Sequence, residues 1–195
     1  MPLQDAGEFV DLLRHGEVAG GACFRGERDD PLTVIGWEQM TQAMAEPVWS
    51  EIISSPSRRC ADFARQLAAT HGLPLRLLDA VRERGFGAWE GRTTDQIPLD
   101  DLMQFWNDPA GFTPPDAELF AVFRDRVLSV WRELCDNPTP RLLITHGGVI
   151  RVLIAEVLQM PDSALLLIEV PFANLTRLRL SEPPGRPSLV FHRSC

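Results

Sequence analysis

The chain has 195 residues, a net charge of −8, 45% hydrophobic and 24% charged residues. This fits one soluble globular domain over residues 1–195 and argues against a disordered or membrane-embedded chain. The acidic excess speaks against a long nucleic-acid surface, which needs clustered Lys and Arg, yet it leaves room for an anion site where cations converge locally.

Residues 1–8 lack the basic start and apolar run of a secretory signal. No apolar stretch is long enough to cross a bilayer. Cys23, Cys60, Cys135 and Cys195 are scattered without C-x-x-C spacing. The expectation is a cytoplasmic protein with no disulfide framework, no zinc site and no membrane partner.

Phe9 to Leu13 reads as a strand, with Asp11 inside it, ending at Arg14-His15-Gly16. A glycine-rich loop follows (Gly16, Gly20, Gly21, Gly26), and Pro31-Leu32-Thr33 opens a helix to about Ala45 with Thr33 as N-cap. Glu51 to Ser54 is a second strand. Ser55-Pro56 reads as N-cap and first residue of a helix whose apolar face is Cys60, Phe63, Ala64, Leu67 and Ala68, with Gly72 as its stop. Leu75 to Leu78 is a third strand, and Arg82 to Gly91 a polar loop containing Phe86 and Trp89.

Short helical turns and loops are expected over 98–116. An amphipathic helix follows over Ala117 to Cys135, with Leu119, Phe120, Phe123, Val127, Trp131 and Leu134 on one face. Arg141 to Thr145 is a strand leading into His146-Gly147-Gly148, and Val149 to Leu158 a buried helix. Leu165 to Val170, Asn174 to Leu180 and Ser188 to His192 read as strands, with a turn at Glu182-Pro183-Pro184-Gly185-Arg186-Pro187. Alternating strands and helices predict a three-layer α/β sandwich: a mostly parallel central sheet with an antiparallel edge strand and helices on both faces. Ligands bind such folds beyond the carboxyl ends of the strands.

Of the four histidines, His15 and His146 each follow an apolar strand and precede glycine, so both point to one sheet edge; His71 and His192 read as structural. Arg14 adjoins His15, and Arg58-Arg59 opens the second helix, where the N-terminus itself favours anions. The helical wheel turns Arg58 to solvent and sets Arg59 on the flank of the buried face. Gly147-Gly148 allows close approach to a third helix N-terminus. Such a convergence suits a phosphate dianion. Glu83, Glu90 and Glu17 are candidate proton donors, and Glu83 is the leading one, in a loop where Phe86 and Trp89 would desolvate it.

These residues resemble the histidine phosphatase (phosphoglycerate mutase-like) superfamily. Arg14-His15-Gly16-Glu17 resembles its R-H-G-E signature. Pro31-Leu32-Thr33 with Gly36 resembles the P-L-T-x-x-G helix start, and Ser54 to Arg59 resembles S-S-P-L-x-R. Arg82 to Gly91 resembles R-E-x-x-F-G-x-W-E-G, and Thr145 to Gly148 resembles T-H-G-G. The resemblance implies that His15 attacks phosphorus through its far ring nitrogen while a backbone carbonyl holds the near one. It implies that Arg14, Arg59, His146 and Gly147 hold the phosphoryl group and that Glu83 is the acid, with no metal and no cofactor. The run Glu17-Val18-Ala19-Gly20-Gly21 departs from the usual T-x-x-N continuation, and Ser57 stands where leucine is usual, so the substrate contacts differ.

The loop with Phe24-Arg25-Gly26 and Asp30-Pro31-Leu32-Thr33 is similar to that of α-ribazole phosphatases. This implies a phosphatase for α-ribazole 5′-phosphate in cobalamin synthesis, binding a small phosphomonoester and releasing phosphate, as monomer or homodimer. The alternatives are a broad-specificity phosphatase, a phosphoglycerate mutase-like enzyme, and a catalytically inactive protein that binds a phospho-ligand.

Overall fold

A computed structural model describes residues 8–44, 48–180 and 185–194. The N-terminal seven residues, the helix end at Ala45, the turn residues 182–184 and Cys195 lie outside the described residues. Six strands form one sheet: β1 (Phe9–Arg14), β2 (Glu51–Ser54), β3 (Leu75–Leu77), β4 (Arg141–Thr145), β5 (Leu175–Arg179) and β6 (Ser188–Arg193). Their order is β3-β2-β4-β1-β5-β6. The first four pair in parallel, and β5 pairs antiparallel with both β1 and β6, closing one edge.

Strands β1, β2 and β4 are buried almost throughout, because helices cover both faces. The side chains sort by parity. Val10, Leu12, Ile53 and Leu143 face α4 (Phe120–Asp136) and α5 (Gly147–Leu158). Phe9, Leu13, Ile52, Leu142 and Ile144 face α1 (Val34–Ala43) and α2 (Arg58–His71). Asp11 is tolerated inside β1 because its carboxylate accepts from Arg177 Nε and Nη2 (2.7 and 2.8 Å) and from Trp49 Nε1 (2.8 Å). Thr33 caps α1 as expected, its side chain accepting from Gly36 N.

Four expectations are corrected. Leu165 to Val170 is not a strand: Asp162–Leu167 is a 3₁₀ helix in which Leu165 is buried while Leu167 is 81% exposed. A continuous apolar run does not separate helical from extended backbone by period. Within 98–116, α3 (Leu99–Asn107) is a full helix. It escapes a periodicity search because Leu99, Met103 and Trp106 make its exposed face apolar too, opposite buried Leu102 and Phe105. Helix α4 starts at Phe120 rather than Ala117, since Asp116 takes a left-handed φ of 58° and Ala117 N bonds Pro114 O in a turn; Leu119 is exposed. Helix α2 starts at Arg58 after Ser57, not at Ser55-Pro56, for a reason that lies in the site.

Candidate active site

Arg14 of β1 and Thr145 of β4 are register partners, so the chain leaves both strands side by side at His15 and His146. The two rings meet edge-on with centroids 5.3 Å apart. His15 N bonds Thr145 O (3.0 Å), and His15 O accepts from Ala173 N (3.2 Å), which fixes the backbone of His15. Its Nδ1 lies 2.9 Å from Gly16 O. A carbonyl only accepts, so Nδ1 carries the hydrogen and Nε2 keeps the lone pair.

Gly16 can serve this way because it packs backbone to backbone on α1. A Cβ at Gly16 would lie 2.1 Å from Gly36 O, and one at Gly36 would lie 2.0 Å from Glu17 O. Gly36→Ala is therefore expected to destabilise the fold by about 1–3 kcal/mol and to lower kcat by moving the carbonyl that orients His15. Urea unfolding alongside kcat checks this, and unchanged values of both would contradict it.

Arg14 stacks on Phe172, with its guanidinium carbon 4.5 Å from the ring centre, and donates through Nη1 to Val170 O. Its buried Nε has no hydrogen-bond acceptor among the described residues. Burial pulls the guanidinium down to about 10. Arg59 is fully buried. It donates through Nε to His146 Nδ1 (3.3 Å), through Nη2 to Gly26 O (2.9 Å) and through Nη1 to Arg28 O. With Nδ1 accepting, His146 donates from Nε2 to Ser55 Oγ (2.8 Å). Ser55 Oγ also takes Ser57 N (3.3 Å) in a local turn, which holds 55–57 out of the helix and delays its start. Arg58 points outward and pairs with Asp62 (3.6 Å).

Both helix N-termini read as anion sites already carry a protein carboxylate. Asp29 Oδ1 accepts from Arg58 N (2.7 Å) at α2. At α5, Glu83 Oε2 accepts from Gly148 N (3.0 Å), and its Oε1 from Arg84 N (3.0 Å). Gly148 is required for that approach, since a Cβ there would lie 2.2 Å from Glu83 Oε1. Gly147 lies between two guanidiniums: its Cβ would be 3.2 Å from Arg151 Nη1 and 3.6 Å from Arg14 Nε.

Glu90, a candidate donor, instead accepts from the backbone amides of Gly26, Glu27, Arg28 and Phe86 and so ties two loops together. Glu17 accepts from Thr33 Oγ1 (2.8 Å) at the cleft wall. Trp89 does not cover Glu83: it is buried in a separate cluster with Ile97, Leu102 and Phe105.

The cleft is about 700 Å³ and presents Arg14, His15, Glu17 and Glu83, with Phe24, Phe86 and Phe172 as apolar walls. His146 and Arg59 stand behind His15 rather than in that wall. Phe172 and Arg151 went unread in the sequence. Arg151 lies inside the apolar run of α5, Phe172 follows one, neither carries a motif of its own, and only the fold brings them to Glu83 and Arg14. His71 ends α2 at the surface, and His192 is bonded to Thr176 Oγ1 (2.7 Å) and Glu169 O (2.6 Å). Among the described residues no group of three or more His, Cys, Asp or Glu is placed to hold a metal ion, and no helix is long and apolar enough to cross a membrane.

Burial, and then the charges of Arg14 and Arg59, hold His15 well below its usual value. Burial, then Arg59 and His15, do the same to His146. A unit or more above about pH 6.5 both rings are neutral whether folded or unfolded, and neither affects stability. Below it the unfolded chain takes up two protons that the folded protein refuses, so stability falls as pH falls toward the folded values. The expected limiting slope from this pair is about 2.7 kcal/mol per pH unit. His146→Gln should halve it, as read by urea unfolding between about pH 6.5 and 5. An unaltered slope in that variant would show that His146 is protonated in the folded protein.

Residues 10–192 match the family described as the histidine phosphatase superfamily, branch 1. The chain is 31% identical, over 77% of its length and 74% of the relative's, to a glucosyl-3-phosphoglycerate phosphatase of Mycolicibacterium vanbaalenii. It is 28% identical, over 90% and 86%, to a probable phosphoglycerate mutase of Yersinia pestis. Its fold superposes on a putative α-ribazole-5′-phosphate phosphatase of Escherichia coli with a TM-score of 0.83, at 24% identity over 96% of this chain and 97% of the other. A mycobacterial glucosyl-3-phosphoglycerate phosphatase superposes with a TM-score of 0.78, at 26% identity over 94% and 97%. The matched region runs from Val10 in β1 to His192 in β6 and takes in both histidine-bearing turns, and the chain belongs to branch 1 of the histidine phosphatase superfamily.

Proposed function

We propose that this protein hydrolyses small phosphate monoesters through a phosphohistidine on His15, as a single domain over residues 1–195. The observation that carries the reading is the pairing of two neighbours at the end of β1. Among the described residues, His15 has Nδ1 committed to Gly16 O and no partner on Nε2, and Arg14 has a buried Nε–H with no acceptor. A buried donor without a partner is costly, and a phosphoryl oxygen beside His15 satisfies it.

In the first step His15 Nε2 forms a bond to phosphorus as the ester P–O bond breaks. Arg14 meets the charge on the phosphoryl oxygens, and the Arg59 guanidinium, buried behind His15 with two N–H groups not spent on carbonyls and His146, adds its positive charge from there. Gly147, beside Arg14, borders the phosphoryl group, while His146, held by Arg59 and Ser55, backs the His15 ring. Protonated Glu83 gives its proton to the leaving oxygen. Its carboxylate then takes one from the water that attacks phosphorus, and the N–P bond breaks to release phosphate.

The specific substrate we carry forward is α-ribazole 5′-phosphate. Phe24 and Phe86, with ring centres 5.1 Å apart at the cleft wall, support a leaving alcohol that carries a planar aromatic base. A glucosyl-3-phosphoglycerate is the second reading, favoured by the activity named for relatives about 30% identical. The unpaired thiols of Cys23, Cys60 and Cys135 support a cytoplasmic setting, the net charge of −8 supports a protein without a nucleic-acid partner, and we carry it forward as a monomer or homodimer with no membrane partner.

The test is kcat/KM across a panel: p-nitrophenyl phosphate, α-ribazole 5′-phosphate, glucosyl-3-phosphoglycerate, and 3-phosphoglycerate with a bisphosphate primer. Turnover of none of them by the intact protein would point to the inactive binding protein. Primer-dependent interconversion without phosphate release would point to a mutase.

A further inference from the structure

Glu83 sits in a stretch that belongs to no helix or strand: the 3₁₀ turn Asp79–Val81 ends before it and the next begins at Gly87. A side chain that must give a proton at a defined point needs its backbone fixed, and here the fixing comes from a distant helix. Arg126 of α4 donates through Nη1 to Ala80 O (2.9 Å) and Arg82 O (2.7 Å), and through Nη2 to Glu83 O (3.0 Å). Its Nε and its second Nη2 hydrogen go to the carboxylate of Glu118 (2.7 and 2.8 Å). All five guanidinium hydrogens are thereby used. Glu118 closes the bracket from the other side: its Oε2 accepts from Gly85 N (3.3 Å), and its backbone N donates to Gly85 O (3.0 Å). Phe123 lies under the guanidinium at 4.9 Å.

We infer that Arg126, steadied by Glu118, is a positioning residue for Glu83, holding the acid's backbone while Gly148 N holds its carboxylate. This rests on the reading of Glu83 as the proton donor. Arg126 does not line the cleft, so it acts chiefly on the proton transfer, and it reaches the phosphate end only as the weakest of the named charges on His146. Lysine keeps the charge but lacks the planar fork that reaches three carbonyls and a carboxylate together.

The experiment compares kcat/KM for a simple alkyl phosphate and for p-nitrophenyl phosphate in Arg126→Lys, Arg126→Met and Glu118→Gln, each alone and combined with Glu83→Gln. Inhibition by inorganic phosphate is measured in parallel. With Glu83 intact, Arg126→Met should lower the alkyl phosphate rate about 10–100-fold, the scale on which a misplacement near 1 Å acts. The p-nitrophenyl phosphate rate and the phosphate inhibition constant should stay within about threefold. Arg126→Lys and Glu118→Gln should fall between wild type and Arg126→Met, which keeps the test valid if Arg126→Met folds poorly. In the Glu83→Gln background the same changes should add no further selectivity. Uniform loss on both substrates, or selectivity that persists without Glu83, overturns the assignment of Arg126. If Glu83→Gln alone shows no leaving-group selectivity, the fault lies with the reading of Glu83 instead.

Discussion

His15→Ala is expected to lower phosphatase turnover by at least about 10⁴-fold, the scale on which removing a covalent nucleophile acts. The ring is placed by three backbone contacts, with Thr145, Ala173 and Gly16, and each belongs to a different part of the fold. Burial and the adjacent guanidiniums keep it unprotonated, so it is nucleophilic at neutral pH without a separate base. Alanine removes the only imidazole in the cleft wall, since His146 stands behind it with both ring nitrogens occupied. The measurement is turnover of p-nitrophenyl phosphate together with incorporation of labelled phosphate that is lost in acid and kept in base. Near-wild-type rates in the variant, or labelling that survives it, would remove His15 from the role of nucleophile. His15→Asn, which can still hydrogen-bond Gly16 O, separates loss of chemistry from loss of local packing.

Much of this site was legible because its two histidines sit where strands end. A strand's last residue has a direction, and two parallel neighbours share it, so His15 and His146 could be brought together from chain order alone. Helical angle alone separates Arg59 from Arg58, because angle is local: Arg59 is fully buried and Arg58 lies at the surface. What could not be read was occupancy. Asp29 on α2 and Glu83 on α5 cap helices 29 and 65 residues away in sequence, and nothing in either segment announces the partner. Arg126 was hidden for a related reason. On a wheel it is one more charged residue beside the apolar stripe of α4, and its meaning appears only when the carbonyls of 80–83 arrive beneath it.

The fold was readable where one face was wet and the other dry, and less so elsewhere. Helix α4 declared itself through a single stripe, and the buried strands β1, β2 and β4 through short apolar runs between breakers. Helix α3 and the 3₁₀ turn at 162–167 failed the same test because apolar residues occupy both their covered and their exposed sides. Their conformation is settled by what they pack against: Leu165 against α5, Phe105 against the Phe24–Trp89 cluster.

Glu83→Gln is expected to slow poor leaving groups far more than good ones. An alkyl phosphate expels an alkoxide that must be protonated as it departs, and loss of a positioned acid there costs on the order of 10²–10⁴-fold. Nitrophenolate leaves unaided, so p-nitrophenyl phosphate should lose little in the same step. The comparison belongs in kcat/KM, which reports events up to release of the leaving group. On the proposed mechanism, the later attack of water on phosphohistidine also uses Glu83, so its loss would slow kcat for both substrates alike. Glutamine is the most conservative replacement because its carbonyl oxygen can still accept from Gly148 N, keeping the start of α5 capped, and only the bond from Arg84 N is lost. Equal losses in kcat/KM for the two esters would mean that the proton comes from elsewhere. Glu17, the other carboxylate in the cleft wall, would then be the next residue to change.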